Sequence, residues 1–573
     1  MEQRANYKLL ISKAFKLLRH DRRIVIKLLI YAALAGALNL TLPLGIQAII
    51  GLVMGARISA SLAVLIGIVI FGTLFAGWVT ILQMQLAEHL QQKIFQYSVT
   101  EFSYKIPRIK LEALRGKYAP SFVNRFLDTT TIQKALPKIL LDLSAAVLQI
   151  IFCLILLSVY HVSFIVFSIL MFLALVLLLR ATGMKAIDAS INESKYKYRI
   201  LYWLQEVSRA LGTFKLAGGS KLPNQKSEEL SRKYFHYRKK RFFIQVRQYW
   251  IIISFKTVIT GALLILGAGL VLQEQINLGQ FVASEIIIIL LLNAVEKLII
   301  NLESIYDVLT AVEKLSSVTD LELEKEKGMR LSQLPFTGGA KVDVSELSYK
   351  IGHKQVLEDI HFTAMPGERV AITGMSGSGK STLLSIIPFL YHDYDGVVAI
   401  NDISIRNLHP DDMRSKLDGN YSHETIFYGT VEENIRLSRP DISVQRMLEV
   451  CERLDLLNFI KTLPEGFDTK LIYNDANLPK RFVEKIILAR NLVESPSLLL
   501  LEDFSLDNFE GDGDRIMKIL DGLRHETTII ATTNDLAFVQ QCDKILLLEG
   551  GRRSFYGSVE EGLRNPLVLK NLY

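Results

Sequence analysis

The stretch that decides the reading is GMSGSGKST, residues 374–382. It fits the phosphate-binding loop pattern G-x-x-x-x-G-K-[ST], and the apolar run Val370, Ala371 and Ile372 predicts the strand that feeds such a loop into a helix. Gly374, Met375, Ser376, Gly377, Ser378, Gly379, Lys380, Ser381 and Thr382 are therefore the candidate nucleotide-binding residues. Gly377 and Gly379 let backbone N–H groups turn inward on phosphate, Lys380 reaches the β and γ oxygens, and the Ser381 hydroxyl is placed to hold Mg²⁺. A chance glycine-rich turn would not need strand, loop and helix in this order. The pattern predicts a nucleoside triphosphate site.

At 573 residues the chain is too long for a single core. Hydrophobic residues make up 50% of it and the mean hydropathy is +0.28, which points to membrane spans. The net charge of +8 is concentrated in particular loops of the first half, which suggests a membrane surface before it suggests nucleic acid. Cys153, Cys451 and Cys542 have neither metal-ligand nor paired spacing, so no disulfide framework is expected.

Residues 7–20 place Leu10, Ala14, Leu17 and Leu18 on one helical face with Lys8, Lys13, Lys16 and Arg19 around it. That is the pattern of a helix lying on an anionic membrane surface, and membrane lipid is an expected partner. Apolar stretches follow at 24–50, 61–86, 138–159, 162–180, 250–272 and 278–300, each near or above the ~20 residues that cross a bilayer. Six spans are expected, with a kink at Pro43 in the first. Residues 181–249 contain 15 Lys and Arg against 5 Asp and Glu, whereas the loops at 51–60, 160–161 and 273–277 contain one Arg between them. This asymmetry puts both termini in the cytoplasm. The two long basic connections carry helical patterns and read as membrane helices continuing into the cytosol. Within the spans, Lys256 and Glu285 are expected to have separate roles, Lys256 snorkelling to the interface near Tyr249 and Trp250.

Around 319–340 the sequence turns to alternating charge, LELEKEKG, and then to a loop ending in Gly338 and Gly339. The expected organisation is a cytoplasmic amphipathic elbow at 1–23, a transmembrane domain at 24–318, a linker at 319–340 and a nucleotide-binding domain at 341–573. The last mixes β-rich runs with helical patterns, as an α/β domain does.

Six spans with long cytoplasmic extensions, followed by VLEDIHFTAMPGERVAITGMSGSGKSTLLSII at 356–387, resemble an ATP-binding cassette (ABC) exporter half-transporter. GTVEENI at 429–435 and LPEGFDT at 463–469 also resemble the exporter branch. The fold class implied is an all-α six-helix transmembrane domain of ABC exporter type followed by an α/β P-loop nucleotide-binding domain. No peptidase domain is expected ahead of the first span. The resemblance implies ATP and Mg²⁺ as cofactors and a multi-pass protein of the inner or plasma membrane. It implies a homodimer, or a heterodimer with a second ABC half-transporter, with a periplasmic adaptor protein as a further candidate partner. Tyr349, 25 residues before Gly374, falls where the family stacks an aromatic on adenine.

The sequence departs from the family at four places. The LSGGQ signature, which faces ATP from the opposite subunit, reads LPKRF here at 478–482. Pro479 has neither a serine hydroxyl nor a backbone N–H, and Lys480 and Arg481 replace two glycines that let backbone approach the γ-phosphate. The strand LLLL at 498–501 ends in Glu502-Asp503 where the family has Asp-Glu, so Glu502 would hold Mg²⁺ and Asp503 would polarise the attacking water. The switch histidine falls on Thr533, and the glutamine that senses Mg²⁺ falls on His423. Binding with impaired hydrolysis is the expectation. Two readings follow: an exporter subunit working by ATP-driven alternating access, with peptide, lipid or drug-like cargo, and a non-hydrolysing ATP-binding regulatory, scaffold or pore subunit. Nucleic-acid binding through SRKYFHYRKK at 231–240 is not expected, because the positive-inside bias already accounts for those cations.

Overall fold

The computed structural model describes residues 2–19, 21–54, 60–115, 120–160, 162–330, 338–420, 425–472, 478–509 and 511–572. The chain forms two compact units. The first comprises Met1–Pro107 and Gly116–Leu321, the second Arg108–Arg115 and Glu322–Tyr573.

The first unit is helical: α1 (Glu2–Arg19), α2 (Arg22–Leu38), α3 (Thr41–Met54), α4 (Ala60–Lys105), α5 (Pro120–Phe126), α6 (Asp128–Tyr160), α7 (Val162–Arg209), α8 (Leu211–Leu216), α9 (Leu222–Leu272) and α10 (Leu278–Thr319). Among the described residues, five helical segments are long and apolar enough to cross a membrane: Arg22–Met54, Ala60–Arg108, Phe122–Val159, Leu222–Leu272 and Leu278–Thr319. The expected fourth span falls on α7, whose apolar first part counts as the shorter segment Val162–Met171. Helices of 46 to 51 residues such as α4, α7 and α9 run well beyond a bilayer's thickness at 1.5 Å per residue. Their surplus length carries the basic connections. The first span breaks at Asn39 and Leu40, not at Pro43. Pro43 lies in the first turn of α3, where a missing N–H breaks no helical bond.

α10 is the most enclosed of these helices, with Ile287, Leu291, Val295 and Ile299 buried against α6 and α9. A capping box at Asn277 and Gln280 starts it. Lys256 of α9 forms an ion pair with Glu296 of α10. The expected snorkelling lysine therefore has an acidic partner, one that only helix pairing brings within reach. The cations of α9 are similarly engaged: Arg241 meets Asp307 at 2.7 Å and Glu303 at 3.1 Å, and Arg238 meets Glu193 at 3.0 Å. All three cysteines are buried free thiols.

The second unit has two main sheets. The strands are β1 (Val342–Ile351), β2 (Lys354–Ala364), β3 (Arg369–Thr373), β4 (Tyr394–Ile400), β5 (Ile403–Ser404), β6 (Leu417–Asn420), β7 (Gly429–Thr430), β8 (Lys470–Leu471), β9 (Leu498–Leu501), β10 (Thr528–Thr532), β11 (Lys544–Glu549) and β12 (Arg552–Ser558). An antiparallel sheet has the order β2-β1-β4-β5. The central sheet runs β12-β11-β3-β10-β9-β6, parallel throughout except for the edge strand β12. Every residue of β3, β9 and β10 is buried, as strands covered on both faces require. Neighbouring parallel strands that end together bring their following loops together, and this places the site.

Candidate functional site

Three loops meet beyond the carboxyl ends of β3, β9 and β10. From β3 the chain passes through the 374–379 loop into α11 (Lys380–Ile386). Gly374 has φ +145°, and a Cβ there would lie 2.3 Å from the Leu548 carbonyl oxygen. Gly379 has φ +101°, and its Cβ would meet Leu357 at 2.6 Å. Only glycine fits either position without displacing its neighbours.

A cavity of about 600 Å³ lies over this loop. Ser376, Gly377, Gly379, Lys380, Ser381 and Thr382 line one side of it, and Asp503, Thr533 and Asn534 another. Lys380 Nζ hydrogen-bonds to the Gly374 carbonyl and, at 3.1 Å, to that of Met375. Burial pushes the Lys380 pKa down, and the Asp503 carboxylate opposes that shift. Ser378 lies beneath the loop with a buried hydroxyl.

Of the two carboxylates after β9, Asp503 opens on the cavity and Glu502 is not part of its wall. Tyr391 lies close enough to feel the Glu502 charge, although burial is the main cause that pushes its hydroxyl pKa up. Asp503 has φ +46° and donates its N–H to the Thr532 hydroxyl at 2.8 Å, which turns its side chain away from the strand line. Ser381 and Asp503 place two oxygen donors on one cavity, a set that suits Mg²⁺, a hard cation. These two residues would hold the ion, which would neutralise charge on the bound phosphates.

Thr533 is buried, donates its hydroxyl to the Phe504 carbonyl at 2.6 Å and accepts from the Asp535 N–H. It is a structural link between the loops after β9 and β10. The next residue, Asn534, has the more direct place. Its Oδ1 accepts from the Thr373 hydroxyl at 2.9 Å and from the Gly374 N–H at 3.3 Å, fixing the entry to the phosphate loop. Sequence reasoning passed over Asn534, although a polar residue just past a central strand was the available signal. His423 lies outside the described residues.

Tyr349 is not on the cavity wall. It is 1% exposed and stacks on Tyr391, with centroids 5.4 Å apart. The β1–β2 ladder slips its register between Tyr349 and Lys350, so the simple alternation of faces fails there. Ile351, Lys354 and Val356 line the cavity instead. The segment Arg108–Arg115 covers Tyr349. Arg115 donates to the Tyr349 hydroxyl, and its guanidinium lies 5.3 Å from the Tyr349 centroid and 5.7 Å from that of Tyr391.

In the same segment Glu112 accepts from the backbone N–H groups of His392 and Asp393. Burial acts to raise the Glu112 pKa, but its hydrogen bonds with His392 outweigh burial and hold the carboxyl down at about 2. A depressed carboxyl contributes stability in full above its ordinary value of 4.5 and loses it as pH falls towards about 2. Glu112→Gln is expected to lower the apparent melting temperature of the second unit by about 2–4 °C at pH 7, for a loss near 1 kcal/mol. In differential scanning fluorimetry the gap should close as pH drops below 4.5.

The signature stretch begins the helix Lys480–Leu492. Leu478 packs on the core and Phe482 is buried against Phe459 at 4.1 Å, while Pro479, Lys480 and Arg481 between them are exposed. Pro479 caps the helix with no side-chain hydrogen bond, and neither cation has an acidic partner among the described residues. Three of the four altered positions, Pro479, Lys480 and Arg481, are thus presented to the outside, and the fourth, Phe482, is turned into the core.

A helical unit with membrane-crossing helices, joined to a parallel sheet with a phosphate loop at its carboxyl edge, defines a membrane-embedded nucleotide-binding protein. Residues 25–295 match the ABC transporter transmembrane region and residues 357–504 match the ABC transporter family. The chain belongs to the ABC transporter superfamily, with the exporter-type half-transporter organisation, and is a multi-pass membrane protein. It is 27% identical over 298 residues to the ATP-dependent lipid A-core flippase of Coxiella burnetii, a match covering 52% of this chain and 50% of that protein. The matched region thus spans half the length of that relative. The fold is that of a solved bacterial Atm1-family ABC exporter with ATP bound, with a TM-score of 0.83 and 18% identity over 96% of this chain and 98% of that one.

Proposed function

We propose that this chain is one half of an ATP-driven exporter. It moves a substrate out of the cytoplasm by alternating access, and it hydrolyses ATP slowly. The observation that carries the proposal is the cavity shared by Lys380, Ser381 and Asp503 at the carboxyl edge of the central sheet. In this reading the loop N–H groups and Lys380 hold the triphosphate, Ser381 and Asp503 hold Mg²⁺, and Ile351 and Val356 offer an apolar face to the base. Glu502 stands as an outer carboxylate. Asp503 is then asked to serve both ion and attacking water, a second reason for slow turnover beside its short side chain.

The subunit works as a dimer, with itself or with a second half-transporter, in the inner or plasma membrane with both termini cytoplasmic. The named relative makes lipid one cargo class to test.

A second reading, a non-hydrolysing ATP-binding regulatory, scaffold or pore subunit, is favoured by Thr533, whose hydroxyl is committed to Phe504 and which carries no charge to a phosphate. ATPase measurement in lipid separates the two. The exporter reading expects a slow, Mg²⁺-dependent rate that Asp503→Asn lowers by about 10²-fold or more. ATP binding with no hydrolysis above background contradicts it and selects the second. An unchanged rate in Asp503→Asn removes Asp503 from the chemistry.

A further inference from the structure

A groove of about 660 Å³ runs between α1, α2 and α6, lined by residues that include Phe15, Leu18, Ile26, Ile30, Leu140 and Leu143. Its one hydroxyl, on Ser144, is turned back onto the Leu140 carbonyl of the same helix. The walls therefore offer nothing to a polar ligand. Phe15, Ile26 and Ile30 remain 64%, 55% and 57% exposed, and α2 and α6 both belong to membrane-crossing segments. Such a surface is covered by hydrocarbon.

One end of the groove is charged. Arg19 closes α1, and Arg22 and Arg23 open α2. Arg22 is four residues before Ile26, and Arg23 is three before Ile26 and seven before Ile30. Both therefore stand on the groove side of α2, one turn beyond its apolar wall. Arg19, Arg22 and Arg23 are exposed, and none has an acidic partner among the described residues. The nearby acid, Asp21, is taken by Lys93 at 2.6 Å. At the other end Ala33, Val147 and Leu148 carry no charge.

We propose that this groove is a binding site for one anionic phospholipid of the cytoplasmic leaflet, its acyl chain along α2 and α6 and its phosphate on Arg19, Arg22 and Arg23. Guanidinium groups suit phosphate because they donate paired, planar hydrogen bonds, and clustered cations at a membrane surface strengthen anionic lipid binding. The site pins the junction of α1 and α2 to the membrane surface.

The test is native mass spectrometry of the full chain with added phosphatidylglycerol or phosphatidylcholine of identical acyl chains. One phosphatidylglycerol per chain should be retained with at least about tenfold preference. The triple variant Arg19→Gln, Arg22→Gln, Arg23→Gln should lose the preference. Ala33→Phe, which keeps the arginines and narrows the groove, should reduce retention of both lipids. Lys134→Gln with Lys138→Gln should change nothing, since helical spacing puts both on the far face of α6. Equal retention of the two lipids, or a preference that survives the arginine triple, overturns the proposal. So does equal competition by glycerophosphoglycerol, which lacks acyl chains and would make the site one for free phosphate esters.

Discussion

Lys380→Ala should weaken ATP binding by about 10²-fold and remove whatever hydrolysis the protein has. Lys380 is the cation on the phosphate-loop side of a cavity whose other side carries Asp503 and Asp535. Without it, the opposite wall presents carboxylates to a polyanion, and the phosphate loop itself offsets them with backbone N–H groups alone, Lys354 lining the cavity from outside that loop. A charge-assisted hydrogen bond contributes about 1.5–3 kcal/mol, and one such loss gives roughly 10- to 100-fold. Lys380 also ties the carbonyls of Gly374 and Met375, so the loop loses a clamp as well. Isothermal titration with MgATP reads the effect. Affinity within about threefold of the parent would mean that the triphosphate lies elsewhere.

The second large effect is a gain. Pro479→Ser with Lys480→Gly and Arg481→Gly restores the small, N–H-bearing signature at the three exposed positions, and turnover is expected to rise about 10²-fold. One well-placed donor to a developing charge is worth about 10²–10³ in rate, and Pro479 supplies none. Phe482 is left in place because it is buried against Phe459. Two glycines in the first turn cost about 1 kcal/mol each, which a helix packed along most of its length absorbs. The steady-state ATPase rate in lipid decides it. If the variant binds ATP normally but turns over no faster, the signature is not what limits the rate.

What the sequence disclosed and what it hid follow from the range of the interactions involved. The phosphate loop was legible because strand, loop and helix are consecutive and each glycine answers a local backbone requirement. The membrane helices were legible because composition over twenty residues determines them. The break at Asn39 and Leu40 was misplaced at Pro43 because a proline in a first turn leaves the helix intact. Tyr349 was found by counting, but counting cannot see that its ring is buried and stacked on Tyr391 with Arg115 against it. The Lys256–Glu296 pair joins two helices, and the Glu112 and Arg115 contacts join a loop to residues more than 230 positions away. No local pattern encodes such partners.

The most direct test of the central claim, retained ATP binding with impaired turnover, is to measure both in one preparation of the purified chain in lipid. The account predicts saturable MgATP binding that Lys380→Ala weakens by about 10²-fold, together with turnover below about 0.1 s⁻¹, some 10²-fold under the median enzyme rate. Turnover at or above about 10 s⁻¹ that disappears in Asp503→Asn would contradict it.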